Sequence, residues 1–418
     1  MTSRGTAERL DRADPLAWVR KDFALGDGQV YLNGHSLGVP PAGVRDTVGR
    51  TIAQQWGDDL VRGRSGECWS AAPRLVGDRI GRLLGAAPGQ TLVGDSISVQ
   101  LFNAVGAAAR LRPDRRLIMV DSCGFRTDRY LAGSAARMLG LELRQVPAAR
   151  FPEALAEYGE QVAVTAAGPV DLRTGELFGI RALTAAAHRA GAVAVWDLCQ
   201  VTGAVPLALD ADLVDLAVGC GEAFLSGGPG APAYIYAAAR HHGALDLPLT
   251  GCQDPAASTT AADDGIARLR IGSPPLLSLV ALDAALDAYD GLDPYEIRAK
   301  SVELGAFFID CVDELLDGLG FELATPRSAE RRASQLLLRH CAAPRLMRAL
   351  RDRGVIGDVP APDLLRFGYN ALHVTYCDVF DAVEALRAAA LREAGRHEAG
   401  RRHDPAPAGA SASVPAGR

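Results

Sequence analysis

The residues best suited to chemistry gather around one glycine-rich stretch, residues 219–232, GCGEAFLSGGPGAP. An apolar run before it (Leu213, Val214, Leu216, Ala217, Val218) is expected to form a short buried strand, and a second run over 233–238 leads out. Gly227, Gly228 and Gly230 surround Pro229 in a turn with no side chains to hold the backbone away from a ligand. A tight hairpin in an α/β sheet satisfies the same pattern. Asp197 ends the apolar run 192–196. A carboxylate ending a strand buried on both faces needs a partner, so Asp197 reads either as a strand-end cap or as a ligand for a cationic group. Residues 95–99, DSISV, open a helix to about Arg110, and free N–H groups at a helix start attract phosphate or carboxylate. Ser98 is the candidate anion contact there, with an ordinary N-cap as the alternative.

These residues must be positioned by a large fold. The chain has 418 residues, 48% hydrophobic and 22% charged, which is enough for a sizeable core and suggests two domains. The net charge of −6 and the lack of a basic patch argue against a nucleic-acid partner. No apolar run is long enough to span a membrane, and the first residues lack the apolar centre of a signal peptide. The eight cysteines (68, 123, 199, 220, 252, 311, 341, 377) are scattered without a C-x-x-C pair, so no metal site and no disulfide framework is expected. A reducing cytoplasm is the simplest compartment. Of the 44 basic residues only Lys21 and Lys300 are lysines, which with abundant Ala and Gly suggests a high-GC bacterial gene.

Strands are expected over 117–120, 141–146, 162–166 and 192–196, with helices over 180–190, 276–289 and 380–393. The alternation predicts a doubly wound α/β domain. The expected organisation is an N-terminal arm (1–40), a large domain (41–290), a small C-terminal α/β domain (291–395) and a disordered tail (396–418). Lys300 is expected on a solvated helix face.

The central stretch resembles the segment of kynureninases that carries the lysine joined to pyridoxal phosphate (PLP), approximately GCTYKYLNGGPGAPAF. In that resemblance Ala223 stands at the Schiff-base lysine and Glu222 at the preceding Tyr. Residues 29–38, QVYLNGHSLG, are similar to the family's YLDGNSLG, with Ser36 and Gly38 matching and Asn33 and His35 departing. GFRTDRY (124–130) resembles NFPTDLY, which implies that Phe125 stacks on the cofactor ring with Asp128 beside it. DLCQ (197–200) resembles DLAH, so Asp197 would pair with the pyridinium nitrogen and Gln200 replaces a His. LRIGSPP (269–275) resembles FLCGTPP, placing Ser273 on the phosphate side. LLRFGYNAL (364–372) resembles LLRFGFAPLY, which implies that Arg366 grips a substrate carboxylate, a bidentate task suited to guanidinium. Arg64 and Cys252 fall where the family has Trp residues.

The resemblance covers about residues 29–388. It implies a fold type I PLP architecture, with a mostly parallel seven-stranded sheet, a smaller C-terminal domain and a homodimer with shared active sites. Kynureninases hydrolyse L-kynurenine to anthranilate and L-alanine. Because Ala223 offers no amine, the leading expectation is a repurposed enzyme with no covalently held cofactor. It would act on an aromatic or amino-acid-like carboxylate in bacterial specialised metabolism, with Glu222 as general acid or base and Asp128 as a second catalytic candidate. PLP binding is expected to be doubtful, since a carboxylate about 4 Å from a phosphate charge costs on the order of 4 kcal/mol at an effective dielectric of about 20. A PLP-using kynureninase and a non-catalytic binding or partner protein are the alternatives.

Overall fold

Near-continuous apolar runs become the central strands, as expected where both faces of a sheet are covered. The computed structural model describes residues 2–26, 28–60, 67–249 and 265–402, so Arg64 and Cys252 lie outside the described residues. The strands are β1 (Thr91–Val93), β2 (Leu117–Asp121), β3 (Glu142–Val146), β4 (Val162–Ala167), β5 (Val193–Asp197), β6 (Leu216–Cys220) and β7 (Ala233–Ala237). Their order is β1-β7-β6-β5-β4-β2-β3. β3, β2, β4, β5 and β6 are paired in parallel, while β7 is antiparallel to both β6 and β1. This is the mostly parallel seven-stranded sheet the sequence led one to expect. The strand before the glycine-rich turn starts later than its apolar run suggests. Leu213 is exposed, in a turn with φ 56, because the chain must reverse after Ala208 before entering β6 at Leu216.

Successive strand residues point to opposite faces. Val195, Leu216, Val218 and Ile235 join the core that also contains Leu101, Ala104, Val105 and Ala108. Those four lie on α1 (Ile97–Arg110), and Ala132, Ala135 and Ala136 of α2 (Arg126–Leu139) share that core. Trp196, Ala217, Tyr234 and Tyr236 face the other core, which continues into the C-terminal part. α3 (Leu276–Ala285) runs into a 3₁₀ turn that ends at Tyr289. The Tyr289 hydroxyl donates to Phe224 O at 2.7 Å and so pins the glycine-rich stretch from below.

The C-terminal part packs α4 (Pro294–Leu315) and α5 (Tyr376–Arg402) on an antiparallel sheet. Its strands are β8 (Glu322–Leu323), β9 (Gln335–Arg339), β10 (Asp358–Ala361) and β11 (Leu364–Gly368), in the order β10-β11-β9-β8. Asp293 caps α4 by accepting the Tyr295 N–H at 2.9 Å. Lys300 is not on a solvated face. It is 4% exposed, and its Nζ lies 2.6 Å from Asp14 Oδ2, an ion pair supplied by the N-terminal arm. Among the described residues no helix is long and apolar enough to cross a membrane.

One short segment ties these parts together at the site. Val30–Tyr31 pairs in parallel with Val355–Ile356. Gly34 N–H donates to Gly368 O at 3.1 Å, and Gly38 N–H donates to Glu222 O at 2.8 Å. A Cβ on Gly38 would sit 2.4 Å from Ala223 O, so only glycine permits this approach.

Candidate active site

The carboxyl ends of β4, β5 and β6, the first turns of α1 and α2, the segment 35–36 and the β10–β11 hairpin enclose a cavity of about 620 Å³. Crevices at the carboxyl ends of parallel strands are where ligands bind in open α/β sheets. Its walls include Ser36, Ser98, Phe125, Asp128, Asp197, Gln200, Glu222 and Arg366, so eight widely separated candidates are brought together. Two are not. Ala223 is 2% exposed and off the cavity wall, because its short methyl is covered where Gly38 meets the turn. Ser273 lies in a separate narrow cleft with Gly94, Asp95 and Arg270.

The floor is acidic. Asp197 leaves β5 with its Oδ1 accepting the Cys199 N–H at 2.9 Å, the local bond expected of a strand-end cap, and it also lines the cavity. Asp128, in the first turn of α2, is hydrogen-bonded to Asp197. Burial, then the charge of Asp197 and this hydrogen bond, pushes the Asp128 carboxyl up to about 9. Asp128 therefore keeps its proton at neutral pH. Phe125, at the N-cap of α2, is 57% exposed at the cavity rather than packed in the core.

Near the start of α1 the Ser96 side chain accepts the Val99 N–H at 3.4 Å, leaving Ser98 in the first turn at the cavity wall. Glu222 does not present a free carboxylate. Its Oε1 accepts the Gly230 N–H at 2.8 Å, closing the glycine-rich turn on itself.

Arg366 has a protein partner. Arg366 Nε and Nη2 meet Asp358 Oδ1 and Oδ2 at 3.0 and 2.6 Å, a fork-to-fork pair across the β10–β11 register. Although burial raises the Asp358 carboxyl, Arg366 and His35 outweigh it and hold it far below the usual carboxylate range. Among the described residues Arg366 Nη1 has no hydrogen-bond partner, and Arg366 lines the cavity.

Sequence reasoning missed Asp358 and noted His35 only as a departure from the family motif. His35 is 3% exposed, lines the cavity and sits with Nε2 3.6 Å from Asp358 Oδ2. Neither of its ring nitrogens has a hydrogen-bond partner, and burial lowers its pKa. Gly368 makes room for it, since a Cβ there would fall 1.9 Å from His35 Nδ1. Gln200 donates from Nε2 to His35 O at 3.2 Å, while its Oε1 is buried without a partner. Orphaned polar atoms of this kind on a cavity wall are satisfied by a ligand or by water. Their signal in sequence was the departure of His35 and Gln200 from the family motifs.

This architecture is that of the fold type I PLP-dependent enzymes. The structure is similar to the apo cysteine desulfurase of Thermococcus onnurineus NA1, with a TM-score of 0.75 at 14% identity over 90% of this chain and 98% of that one. It is equally similar to a C-DES mutant with glycine covalently linked to its PLP cofactor, with a TM-score of 0.75 at 15% identity over 88% and 98% of the two chains. Residues 297–386 match the kynureninase C-terminal domain family. The kynureninase of Burkholderia pseudomallei (strain 1106a) is 39% identical over 93% of this chain and 95% of its own length. That of Deinococcus radiodurans is 40% identical over 91% and 95%. The chain belongs to the kynureninase family.

The family corrects the expectation about the cofactor. Kynureninases and cysteine desulfurases are PLP-dependent, so the expectation of no covalent cofactor and doubtful PLP does not stand. The physical objection to PLP also weakens, because the Glu222 carboxylate is engaged by Gly230 rather than turned free into the cavity. The residues present fit the group. A carboxyl pair stands at the floor, an aromatic ring lies beside it, a helix start faces the wall, and the polar atoms of His35 and Gln200 are unsatisfied.

Proposed function

We propose that this chain is a kynureninase-type enzyme that uses PLP in the cavity at the strand ends and hydrolyses L-kynurenine, or a close aromatic amino-acid relative, to an anthranilate-type product and alanine. The hydrogen-bonded Asp128–Asp197 pair beside Phe125 carries the reading. Bound there, PLP supplies an electron sink for negative charge developing next to the substrate's amino group. Asp197 would hold a proton on the ring nitrogen, and Asp128, its carboxyl pushed up to about 9, would steady Asp197. Phe125 would cover the ring and exclude water. Ser98 and the start of α1 would take the phosphate. Arg366 Nη1 takes the substrate carboxylate while Asp358 fixes the guanidinium plane. Glu222 moves a proton at the reacting end, oriented by Gly230.

A second reading rests on one position. Ala223 stands where the family carries the lysine that joins the cofactor, and the described cavity wall contains no lysine. That supports a repurposed activity in specialised metabolism, on a substrate sharing the aromatic and amino-acid carboxylate groups. Both readings place the chain in the cytoplasm as a homodimer with shared active sites, which light scattering and mixed-variant complementation test.

The deciding experiment mixes purified protein with PLP and L-kynurenine and follows anthranilate fluorescence and alanine release. Stoichiometric formation of both supports hydrolysis. PLP binding by absorbance titration without anthranilate favours the repurposed activity. Absence of PLP binding overturns both readings and leaves a non-catalytic partner protein.

A further inference from the structure

Cys199 and Cys220 are 21 positions apart in the chain, yet they stand side by side at the cavity. β5 and β6 run parallel with Val195 opposite Leu216, Trp196 opposite Ala217 and Asp197 opposite Val218. Leu198 N–H donates to Val218 O at 2.8 Å and carries that alignment past the end of β5. Cys199 lies two residues past the end of β5 and Cys220 is the last residue of β6, so both sit at the ends of neighbouring strands. Each thiol is the largest single influence on the other's protonation. Both residues are partly exposed, and both line the cavity.

Their surroundings make them unequal. Cys199 first, and then the backbone N–H groups of Ala223 and Glu222 where the chain turns out of β6, favour the charged form of the Cys220 thiol. Successive N–H groups in such a turn form a cradle for negative charge. Cys199 lowers the Cys220 thiol against burial and the nearby Asp197 charge, whereas Cys220 and burial raise Cys199. Cys220 is thus the thiol whose surroundings favour the thiolate, and Cys199 the one whose surroundings favour the proton. Of the other described cysteines, Cys311 is buried, Cys341 is exposed, Cys377 is partly exposed at the start of α5, and Cys123 lines the cavity but accepts from Arg173 Nη2 at 2.8 Å.

We propose that Cys199 and Cys220 form a reactive dithiol site, which hydrogen peroxide converts to a disulfide across the two strand ends on the cavity wall. The Cys220 sulfur attacks one peroxide oxygen, the O–O bond breaks, and the departing oxygen leaves with a proton as water. Cys220 is then a sulfenic acid. The Cys199 sulfur, losing its proton, attacks the Cys220 sulfur; the S–S bond forms, the S–O bond breaks, and a second water leaves. The two thiols lose two electrons in total, and the peroxide is reduced to two waters. The proposal stands independently of PLP use and of the substrate.

The test uses the reduced full-length protein, treated with hydrogen peroxide, alkylated and mapped by peptide mass spectrometry. The expected result is the loss of two alkylatable thiols, a linked pair of peptides carrying Cys199 and Cys220, and full recovery of both thiols with dithiothreitol. In Cys199→Ala the link is lost, and Cys220 is trapped as a sulfenic acid by a dimedone-type reagent. A wild-type map in which Cys220 is linked to another cysteine, is oxidised without linking, or reacts no faster than Cys341 overturns the proposal. The wild-type map decides even where the variant fails to fold.

Discussion

The wall of the cavity made by α2 and the end of β5 differs in kind from the wall made by the glycine-rich turn and residues 30–38. On the first, charge decides: two carboxyls share a hydrogen bond at the floor and one of them is held protonated. On the second, close backbone approach decides: Gly38 lies against Ala223 O, and Gly368 leaves space for His35. Phe125, Asp128 and Asp197 stand on the first wall. His35, Gln200 and Glu222 line the second, with Ala223 covered behind it. Charge sets the first wall, while backbone contacts rather than side chains hold the second in place.

The sharpest way to break this contrast is Asp197→Asn. If charge governs the first wall, PLP binding by absorbance titration should weaken by roughly 2–5 kcal/mol, the usual cost of removing one partner of a buried hydrogen-bonded charge pair, with little change in circular dichroism. Unchanged affinity would remove charge as the distinction. Arg366→Ala should follow, weakening carboxylate ligands by about 2–3 kcal/mol and leaving Asp358 unpaired. The Asp358 carboxyl is depressed when folded, so its pairing stabilises the protein above about pH 4, where the unfolded group is also ionised. That contribution fades as pH falls through the depressed folded value. The stability gap between wild type and variant in urea should therefore be constant from pH 5 to 8 and close in stronger acid. A gap that widened in acid would contradict the pairing. On the second wall, Gly368→Ala should cost about 1–3 kcal/mol by overpacking against His35, and adding His35→Ala should recover most of it. Additive losses in the double variant would mean that His35 is not what the glycine accommodates.

The sheet was legible in the sequence because strands covered on both faces are continuous apolar runs, and five of them appear as such. Phe125, Asp128, Asp197 and Arg366 were legible through motifs and do converge on one cavity. Pairings across long sequence separations were not. Lys300 sits at helical spacing that suits a solvated face, and only the fold brings Asp14 from the N-terminal arm to bury it. Asp358 carries no motif, and its role as the holder of Arg366 depends on the β10–β11 register. Cys199 and Cys220 look scattered until β5 and β6 are known to be neighbours. The acidic character of Glu222 was read correctly, but its engagement was not, because a bond to a backbone N–H eight residues on depends on the turn's conformation.

The smallest expected effect is the one that best separates shape from charge on the second wall. Glu222→Gln keeps a side-chain oxygen to accept the Gly230 N–H and removes only the charge. Stability should stay within about 0.5 kcal/mol of wild type, the range of substitutions that preserve their contacts. Glu222→Ala, which also removes the acceptor, should lose about 1 kcal/mol, softened by the exposure of Gly230 to water. With the charge gone, PLP should bind as well as before or a few-fold more tightly, since one negative group near the phosphate is neutralised. If Glu222 moves a proton during turnover, the Gln variant should lose kcat while its PLP affinity holds, a split that a purely structural Glu222 would not produce. Equal turnover in wild type and Gln variant would assign Glu222 to the turn alone, and weaker PLP binding in the Gln variant would show that its charge supports the site rather than opposing the phosphate.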